Sequence, residues 1–381
     1  MNQFEDIINK IKILFESNKI IPLHEPVFFG NEKKYLLDAI ESTYVSSAGE
    51  YVNEFENRIS NLINVKKSIS VINGTAALHM CLKLIGVKSG DEVITQALTF
   101  VATANAISYL NAKPVFIDVD IATMGLSPSA LKYFLENNAE VRDDGTFNKK
   151  TGNKISACIV MHTFGFMCEM DEILKICNKW NIKIIEDSAE ALGSKYKERF
   201  AGSIGDLSAF SLNGNKVITS GAGGLICTNS SQIGKKAKHL TTTAKVAHKW
   251  EFFHDEIGYN YRMPNINAAL ACAQLENLNK IIASKKILFE EYVNFFNKKG
   301  LELVAIPKNT TWNYWLMSLK FENKKDKSLF LNYSNKKMVL SRPIWQLMFK
   351  LPMFKDCLRD SQVNAEYLES RIVNIPSSAR I

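Results

Sequence analysis

The chain of 381 residues has an ordinary globular composition, with 46% hydrophobic and 23% charged residues and a formal net charge of +8. This balance excludes a disordered or fibrous protein, and the length indicates two or three domains. The lysine runs are typical of a solvated surface and no aromatic residues interleave them, so no nucleic-acid partner is predicted. No apolar run approaches the roughly 18–20 residues that span a bilayer, so no membrane partner is predicted.

The N-terminal segment places Phe4, Ile7, Ile8, Ile11 and Phe15 on one helical face between charged residues. This pattern predicts an amphipathic helix within residues 1–22 rather than a signal peptide. The seven cysteines are scattered, without a Cys-x-x-Cys pair or a Cys/His metal spacing. They are typical of thiols in a reducing compartment, so we expect a cytoplasmic protein with no metal site.

Seven short segments between residues 68 and 228 are rich in β-branched and apolar residues and alternate with helical patterns. Several are apolar on both faces, as strands inside a parallel sheet are. The alternation predicts an α/β domain over residues 23–262, built on a mostly parallel seven-stranded sheet with active groups at the carboxyl ends of the strands. The predicted strands are Ser68–Asn73, Glu92–Gln96, Pro114–Val119, Ser156–His162, Ile182–Asp187, Ser208–Leu212 and Gly224–Thr228. The predicted helices are Thr75–Ile85, Val101–Leu110, Pro128–Glu136 and Met170–Trp180.

Two segments interrupt this alternation. The polar stretch from Asn137 to Lys154 contains turn signals and predicts a protruding loop or hairpin. A helical pattern from Ile266 to Tyr292 is followed by a mixture of short strands and helices. We therefore predict a second, smaller α+β domain over residues 263–381.

The first segment with chemical potential is Asn73-Gly74-Thr75-Ala76-Ala77, which closes a strand and opens a helix. A helix N-terminus offers unpaired N–H groups and a positive dipole end, and glycine permits close approach of an anion. A plain strand-to-helix turn with Thr75 near the cap explains the same residues.

The second segment, Ile184-Ile185-Glu186-Asp187-Ser188, ends an apolar strand with two carboxylates. Adjacent strand residues face opposite sides, so either Glu186 or Asp187 must point inward. A buried carboxylate needs a cation or good donors, and a protonated pyridine nitrogen would supply one. An ordinary polar strand end is the alternative.

The third segment runs from Ser208 into the small-residue turn Asn213-Gly214-Asn215-Lys216 and is followed by the glycine-rich stretch 219–224. A lone lysine is usually a surface group, but backbone crowding here would desolvate Lys216 and favour its neutral, nucleophilic form. The stretch lacks the P-loop spacing and no Gly-x-Gly-x-x-Gly follows the first strand, which argues against a kinase or a dehydrogenase.

Together with Gly258-Tyr259-Asn260-Tyr261-Arg262, these segments resemble the DegT/DnrJ/EryC1/StrS family of sugar aminotransferases from about Pro22 to Ser378. The resemblance includes Glu190, three residues after Asp187, and Ser211, five residues before Lys216. Four further segments resemble the legionaminic acid and bacillosamine branch, whose members aminate C4 of a UDP-linked 4-keto-6-deoxy-N-acetylhexosamine. They are His24-Glu25-Pro26, Tyr44-Val45-Ser46-Ser47, Arg342-Pro343-Ile344-Trp345 and Asn374-Ile375-Pro376-Ser377-Ser378.

The resemblance implies a pyridoxal-phosphate-dependent aminotransferase of fold type I, and a homodimer whose active sites lie at the subunit interface. Lys216 would hold the aldehyde of pyridoxal 5′-phosphate, and Asp187 would keep the ring nitrogen protonated. Phe100 would stack on the ring, and Asn260 would reach the phosphate from the partner subunit. The other expected phosphate donors are Gly74, Thr75, Ala76 and Ser211.

Glu190 differs from the glutamine or histidine that many family members carry beside the cofactor's phenolic oxygen. An ionised glutamate would repel that oxygen, so we expect Glu190 to be protonated or turned toward another donor. Candidate substrate contacts are Ser47, His162, Tyr314 and Arg262. A core role is favoured over a substrate contact for His162 and Tyr314, because buried histidines and aromatic residues usually pack in cores.

The predicted reaction moves an amino group, with L-glutamate as the expected donor, to a UDP-linked 4-keto sugar in bacterial glycan or nonulosonic acid biosynthesis. One alternative is a sugar dehydratase of the same family, which carries histidine in place of the lysine, so Lys216 argues against it. The other is a non-catalytic ligand-sensing protein on the same fold, which would not convert its cofactor when glutamate is added.

Overall fold

A seven-stranded sheet forms the centre of the computed structural model, which describes residues 2–381. The strand order is β1-β7-β6-β5-β4-β2-β3, and only β7 runs antiparallel to its neighbours. All seven predicted strands are in this sheet, and the prediction of a mainly parallel α/β fold is confirmed. The strands are Lys67–Val71 (β1), Glu92–Gln96 (β2), Lys113–Ile117 (β3), Ile155–Met161 (β4), Lys183–Asp187 (β5), Leu207–Ser211 (β6) and Gly224–Thr228 (β7).

The strands bury both faces, which is why several of their sequences, such as Ile155–Met161, are apolar without alternation. Val93 and Ile94 are adjacent in β2, yet they belong to different apolar clusters on the two sides of the sheet. Ile184 and Ile185 in β5 divide in the same way. Helices therefore cover the sheet on both sides.

Twelve α-helices lie within residues 2–381. The sequence patterns predicted α1, α4, α5, α6 and α7, and did not identify α2, α3 or α8. The bounds are Asn2–Leu14 (α1), Glu32–Glu41 (α2), Glu50–Ile63 (α3), Gly74–Leu84 (α4), Val101–Ser108 (α5), Pro128–Asn138 (α6), Met170–Lys179 (α7), Ser231–Thr241 (α8), Asn265–Glu276 (α9), Leu278–Lys298 (α10), Lys324–Lys336 (α11) and Val363–Glu369 (α12).

The single long helix predicted from Ile266 to Tyr292 is wrong, because the chain turns at Asn277 between α9 and α10. The Asn277 amide donates to the carbonyl of Gln274, three residues back, and its side chain donates to the carbonyl of Ala273. Asparagine side chains compete with the backbone for helical hydrogen bonds in this way. The apolar pattern continues through the turn and therefore hid it.

The polar stretch after α6 forms a hairpin, in which Ala139–Arg142 pairs with Gly145–Asn148. This confirms the prediction of a protruding loop or hairpin. Two further small sheets are present. The three-stranded one is built from Lys195–Tyr196, Arg199–Phe200 and Thr310–Thr311, and the two-stranded one from Lys245–Val246 and Phe253–His254.

The C-terminal part of the chain builds a four-stranded antiparallel sheet of order β8-β9-β11-β10. Helix α1 packs on this part, where the Phe4 ring meets the Phe330 ring edge-on at 5.6 Å. The domain boundaries at residues 22 and 262 remain predictions. The strands are Glu302–Leu303 (β8), Met317–Lys320 (β9), Arg342–Pro343 (β10) and Ile372–Ile375 (β11).

No helix within residues 2–381 has both the length and the apolar character needed to cross a bilayer.

Candidate active site

A cavity of about 610 Å³ opens where the central strands end. Met161, Asp187 and Ser211 are the last residues of β4, β5 and β6, and all three line the cavity. Gly74, the first residue of α4, lines it as well. Ligands of α/β sheets bind at the carboxyl ends of strands, and the volume suits a cofactor with part of a substrate.

Seven of the thirteen site residues proposed from the sequence line this cavity. They are Gly74, Thr75, Phe100, Asp187, Glu190, Ser211 and Lys216. The other six are not among its lining residues. They are Ser47, Ala76, His162, Asn260, Arg262 and Tyr314.

The start of α4 forms a cradle for an anion. A Cβ atom on Gly74 would lie 2.9 Å from the Cβ of Ser211, so only glycine allows this close approach. The first-turn amides of Gly74 and Thr75 belong to the helix end that carries positive partial charge. Ala76 is different, because its N–H donates to the Asn73 side chain at 2.8 Å. The predicted donation from Ala76 to a phosphate is therefore not supported, since the N-cap already uses that hydrogen.

Glu186 and Asp187 point to opposite sides of the sheet, as adjacent strand residues must. Asp187 lines the cavity, whereas Glu186 turns into the loop at residues 202–205. The amides of Gly202, Ile204 and Gly205 donate to the Glu186 carboxylate at 2.7–2.9 Å. Of the two carboxylates, only Asp187 is available to a ligand.

His162 is fully buried and serves Glu186 rather than a substrate. Its Nδ1 accepts the N–H of Cys168, so the ring hydrogen lies on Nε2 and is donated to Glu186 at 3.0 Å. Burial raises the pKa of Glu186, but His162 and the amides of Gly205 and Gly202 outweigh it and hold that pKa below its usual value. The proposed substrate contact of His162 is therefore not supported in this structure, because the ring is enclosed in the core.

Asp187 is only 3% exposed, and no salt-bridge cation accompanies it within residues 2–381. Its Oδ2 accepts the Thr103 hydroxyl at 2.7 Å and its Oδ1 accepts the Ala189 amide at 3.2 Å. Burial raises the pKa of Asp187, while Thr103, Ala189 and Lys216 oppose the increase. A cation placed in the cavity would remove the cost of keeping this carboxylate ionised.

The Lys216 amine lies inside the cavity wall, with a side chain only 12% exposed. Its Nζ is 3.3 Å from Glu190 Oε1 and 4.2 Å from the centre of the Trp315 ring. The second oxygen of Glu190 accepts the Phe164 amide at 2.9 Å. Glu190 is therefore turned toward donors, which is one of the two states expected from the sequence.

The remaining proposed residues lie away from the cavity lining. Tyr314 is 9% exposed and packs on Trp312, with ring centres 4.8 Å apart, so it has the core role. Asn260 and Arg262 are exposed and bind each other, and Ser47 is partly exposed. None of these last three lines the cavity of the single chain.

Several cavity residues were not identified as site residues from the sequence. Trp315 lines the cavity and is the neighbour of the candidate Tyr314 in the chain. Thr103, one turn after Phe100, lies behind the cavity wall and reaches the site only through its hydrogen bond to Asp187. Three more lie in the segments that resemble the legionaminic acid and bacillosamine branch, and this resemblance is the sequence signal that could have identified them. They are Arg342, Trp345 and Asn374.

One surface group has the spacing of metal ligands. His239, Asp255 and Glu256 bring ligand atoms within 4.8 Å of one another. Lys236 also pairs with Glu256, and all three residues are at least partly exposed. A surface ion-pair network accounts for this arrangement.

The cavity residues fit pyridoxal 5′-phosphate by their chemistry. The cradle at Gly74 and Ser211 suits a phosphate, the buried carboxylate of Asp187 lacks a cation, and Lys216 provides an enclosed amine. Phe100, 50% exposed although aromatic, lies at the wall and not in the core. The phosphate, the ring nitrogen, the aldehyde and the ring face of the cofactor therefore each have a matching group in the cavity.

Comparison with known proteins identifies the family. The profile of the DegT/DnrJ/EryC1/StrS aminotransferase family matches residues 29–381. The chain belongs to this family. It is a pyridoxal-phosphate-dependent sugar aminotransferase, as the motifs had indicated.

Two relatives in this family act on different nucleotide sugars according to their names. A GDP-perosamine synthase of Escherichia coli O157:H7 is 35% identical over 362 residues, covering 94% of this chain and 93% of the relative. A UDP-4-amino-4,6-dideoxy-N-acetyl-beta-L-altrosamine transaminase of Campylobacter jejuni is 32% identical over 264 residues, covering 67% of this chain and 63% of the relative. The nucleotide is therefore not decided by family membership.

The fold is shared with solved aminotransferases. The structure of Helicobacter pylori PseC, an aminotransferase involved in the biosynthesis of pseudoaminic acid, superposes with a TM-score of 0.86 at 22% identity. The match covers 94% of both chains. At this level of identity the likeness establishes the fold alone.

Proposed function

We propose that this aminotransferase moves an amino group from L-glutamate to C4 of a UDP-linked 4-keto-6-deoxy-N-acetylhexosamine, in bacterial glycan or nonulosonic acid biosynthesis. The observation that carries the proposal is the position of Lys216, enclosed in one cavity with Asp187, Glu190 and Ser211. Lys216, Asp187 and Ser211 supply an amine, a carboxylate for the ring nitrogen and a phosphate donor, which amino transfer through pyridoxal phosphate uses.

The cofactor, when bound, supplies an electron sink for breaking a carbon–hydrogen bond. Lys216 Nζ holds the cofactor aldehyde and, once an amino donor has displaced it, accepts and returns the proton of the donor carbon. Asp187 keeps the ring nitrogen protonated. The amides of Gly74 and Thr75, with the Ser211 hydroxyl, hold the phosphate so that the reacting carbon stays beside Lys216.

The substrate side of the cavity is built from the C-terminal sheet. Arg342 begins β10, Asn374 lies in β11, and both line the cavity with Trp345. Apart from Lys216, Arg342 is the only cationic side chain lining the cavity within residues 2–381. An arginine and an aromatic ring suit the pyrophosphate and base of a nucleotide sugar.

The choice of nucleotide is open to a direct assay. Purified enzyme with glutamate would be given matched UDP- and GDP-linked 4-keto-6-deoxy sugars, with and without the N-acetyl group, and kcat/KM would be measured for each. We expect the UDP-linked N-acetylhexosamine to exceed the GDP-linked sugar by at least about 100-fold, because unpaired buried polar groups penalise the wrong substrate. A preference for the GDP-linked sugar would overturn the UDP assignment and leave aminotransfer intact.

The dehydratase and sensor alternatives make different predictions in the same assay. A dehydratase would remove a hydroxyl and add no amino group to the sugar, and Lys216 argues against it. A sensor would bind the sugar nucleotide without converting glutamate to 2-oxoglutarate. Formation of 2-oxoglutarate together with an amino sugar is expected only from the aminotransferase.

We also propose a homodimer with shared active sites, in which Asn260 reaches the partner's phosphate site. The support is the excursion at residues 245–257, where Trp250, Phe252 and Ile257 are 73–81% exposed. Exposed aromatic clusters of this kind mark protein interfaces. Asn260 follows this segment and is itself exposed.

Subunit mixing tests the shared site. We expect Asn260→Ala to lose activity at limiting cofactor and Lys216→Arg to be inactive, whereas a refolded mixture regains activity. The regain arises because one site of the mixed dimer combines an intact Lys216 with an intact Asn260. Activity equal to the sum of the separate variants, or a monomer by light scattering, would contradict the proposal.

A cytoplasmic location is proposed as well. All seven cysteines are unpaired in the structure and six are buried, which suits a reducing compartment. Cell fractionation that recovers the enzyme outside the cytoplasm would contradict it.

A further inference from the structure

Lys216 and Glu190 form a buried pair whose side chains are 12% and 2% exposed. Their Nζ and Oε1 atoms are 3.3 Å apart, and no other carboxylate lies within salt-bridge distance of Lys216 among residues 2–381. A glutamate at this place can take up a proton, which a glutamine cannot. The pair can therefore exchange a proton, and the proposed function does not use this capacity.

The carboxyl group of Glu190 is held in a fixed position. Oε2 accepts the Phe164 amide at 2.9 Å, and Phe164 adopts a left-handed backbone with φ of 55°. Such a conformation is unfavourable for a bulky residue and persists where surrounding contacts enforce it. The backbone carbonyl of Glu190 also accepts the Asn313 side-chain amide at 2.8 Å.

Residues 313–315 also hold Lys216 in place. The Trp315 ring covers the amine at 4.2 Å, and the indole N–H donates to the carbonyl of Asn215 at 2.6 Å. The Trp315 amide in turn donates to Asn313 Oδ1 at 3.1 Å. Residues 313–315 therefore fix both members of the pair relative to each other.

We propose that Glu190 is the proton partner of Lys216 and holds the lysine's proton whenever the amine is neutral. In this exchange an N–H bond of the Lys216 ammonium breaks and its electron pair remains on Nζ. An O–H bond forms on Glu190 Oε1, so the pair has zero net charge before and after. The inference rests on the proposed function, in which Lys216 must become neutral to attack or to accept a proton.

The buried surroundings favour this exchange, because a neutral pair costs little where separated charges are poorly solvated. Burial raises the pKa of Glu190 to about 7, a rise that Lys216 and the Phe164 amide oppose and Asp187 reinforces. The titratable groups acting on Glu190 are therefore Lys216 and Asp187. The neutral acid also removes the repulsion between a carboxylate and the cofactor's phenolic oxygen.

Isotope-edited infrared spectroscopy of the full-length, cofactor-free protein tests the exchange. With ¹³C-labelled glutamate, the protonated-carboxyl stretch of Glu190 is recorded at pH 7 in Lys216→Met and Lys216→Arg. We expect the acid band in Lys216→Met, because no cation remains to keep Glu190 ionised. The matched Lys216→Arg protein should lack it, because a guanidinium keeps its proton.

Glu190→Gln in the Lys216→Met background should remove the band and so assigns it. An ionised Glu190 in Lys216→Met, with a native unfolding transition, would overturn the proposal. This measurement needs no cofactor, so its failure leaves aminotransfer standing. Conversely, wild-type protein that binds no pyridoxal phosphate would remove the proposed function without touching the infrared result.

Kinetics of the single Glu190→Gln variant separate proton exchange from simple positioning. We expect kcat to fall about 100-fold, the lower end for a lost proton-transfer group, with cofactor affinity changed less than threefold. A positioning role alone would leave kcat nearly unchanged, since glutamine keeps the shape and an acceptor oxygen. An unchanged kcat, or a loss confined to cofactor affinity, would overturn the proposal.

Discussion

Lys216→Arg is expected to lower turnover at least ~10⁴-fold, because one substitution removes both the covalent attachment point and the mobile base. The guanidinium stays protonated at every working pH and can neither hold the cofactor aldehyde nor accept a proton. The absorbance of lysine-bound cofactor should disappear as well. Stopped-assay measurement of 2-oxoglutarate and an absorbance spectrum of the purified variant check both outcomes.

Lys175→Arg provides the matched control, since Lys175 is exposed on α7 and outside the cavity. It should keep wild-type turnover and spectrum. Appreciable turnover or a retained lysine–cofactor absorbance in Lys216→Arg would mean that another amine performs the reaction, and the assignment of Lys216 would be lost.

Asp187→Asn is expected to lower kcat by about 10²–10³, the range for removing one preorganised electrostatic group. Asparagine keeps one acceptor oxygen for the Ala189 amide, and its NH2 group can donate to the Thr103 hydroxyl, so the side chain should keep its position. It cannot stabilise a protonated ring nitrogen, and the cofactor then becomes a poorer electron sink. The measurement is kcat at saturating cofactor, combined with a pH titration of the bound cofactor's absorbance.

Glu186→Gln is the informative contrast, because Glu186 is the neighbouring carboxylate on the opposite side of the sheet. The pKa of Glu186 is lower in the folded protein than its ordinary value, so the ionised carboxylate stabilises the fold at pH values above the pKa of the unfolded state. This stability is lost as the pH falls through the pKa of the folded state. The variant should therefore unfold more easily at neutral pH while the bound cofactor titrates normally. Equal spectral effects in both variants would contradict the separate roles.

The sheet was predictable because each strand is buried on both faces. Apolar runs such as Ile155–Met161 leave few alternatives to an interior strand, and helical patterns between them imply parallel crossovers. The convergence of Asp187 and Ser211 in one cavity follows from the same rule, since parallel strands end at a common edge. Lys216 follows Ser211 by five residues and therefore lies at that edge as well.

Other features could not be read from the sequence patterns. The turn at Asn277 was hidden because the apolar period continues through it. His162 could not be separated from a site residue until its bond to Glu186 was known. The first-turn amide of Ala76 was expected to bind the phosphate, but in the structure it donates to the Asn73 side chain.

By itself the sequence determined the α/β architecture, the family and the residues that end the central strands, because these depend on local periodicity and short spacing. The tertiary structure alone decided that Asp187 and not Glu186 enters the cavity, and that Trp315 and Glu190 enclose the Lys216 amine. Those outcomes depend on contacts between segments that are separated in sequence, by 26 residues for Glu190 with Lys216 and by 100 for Trp315 with Asn215. Such contacts arise from packing, which no local pattern of residues specifies.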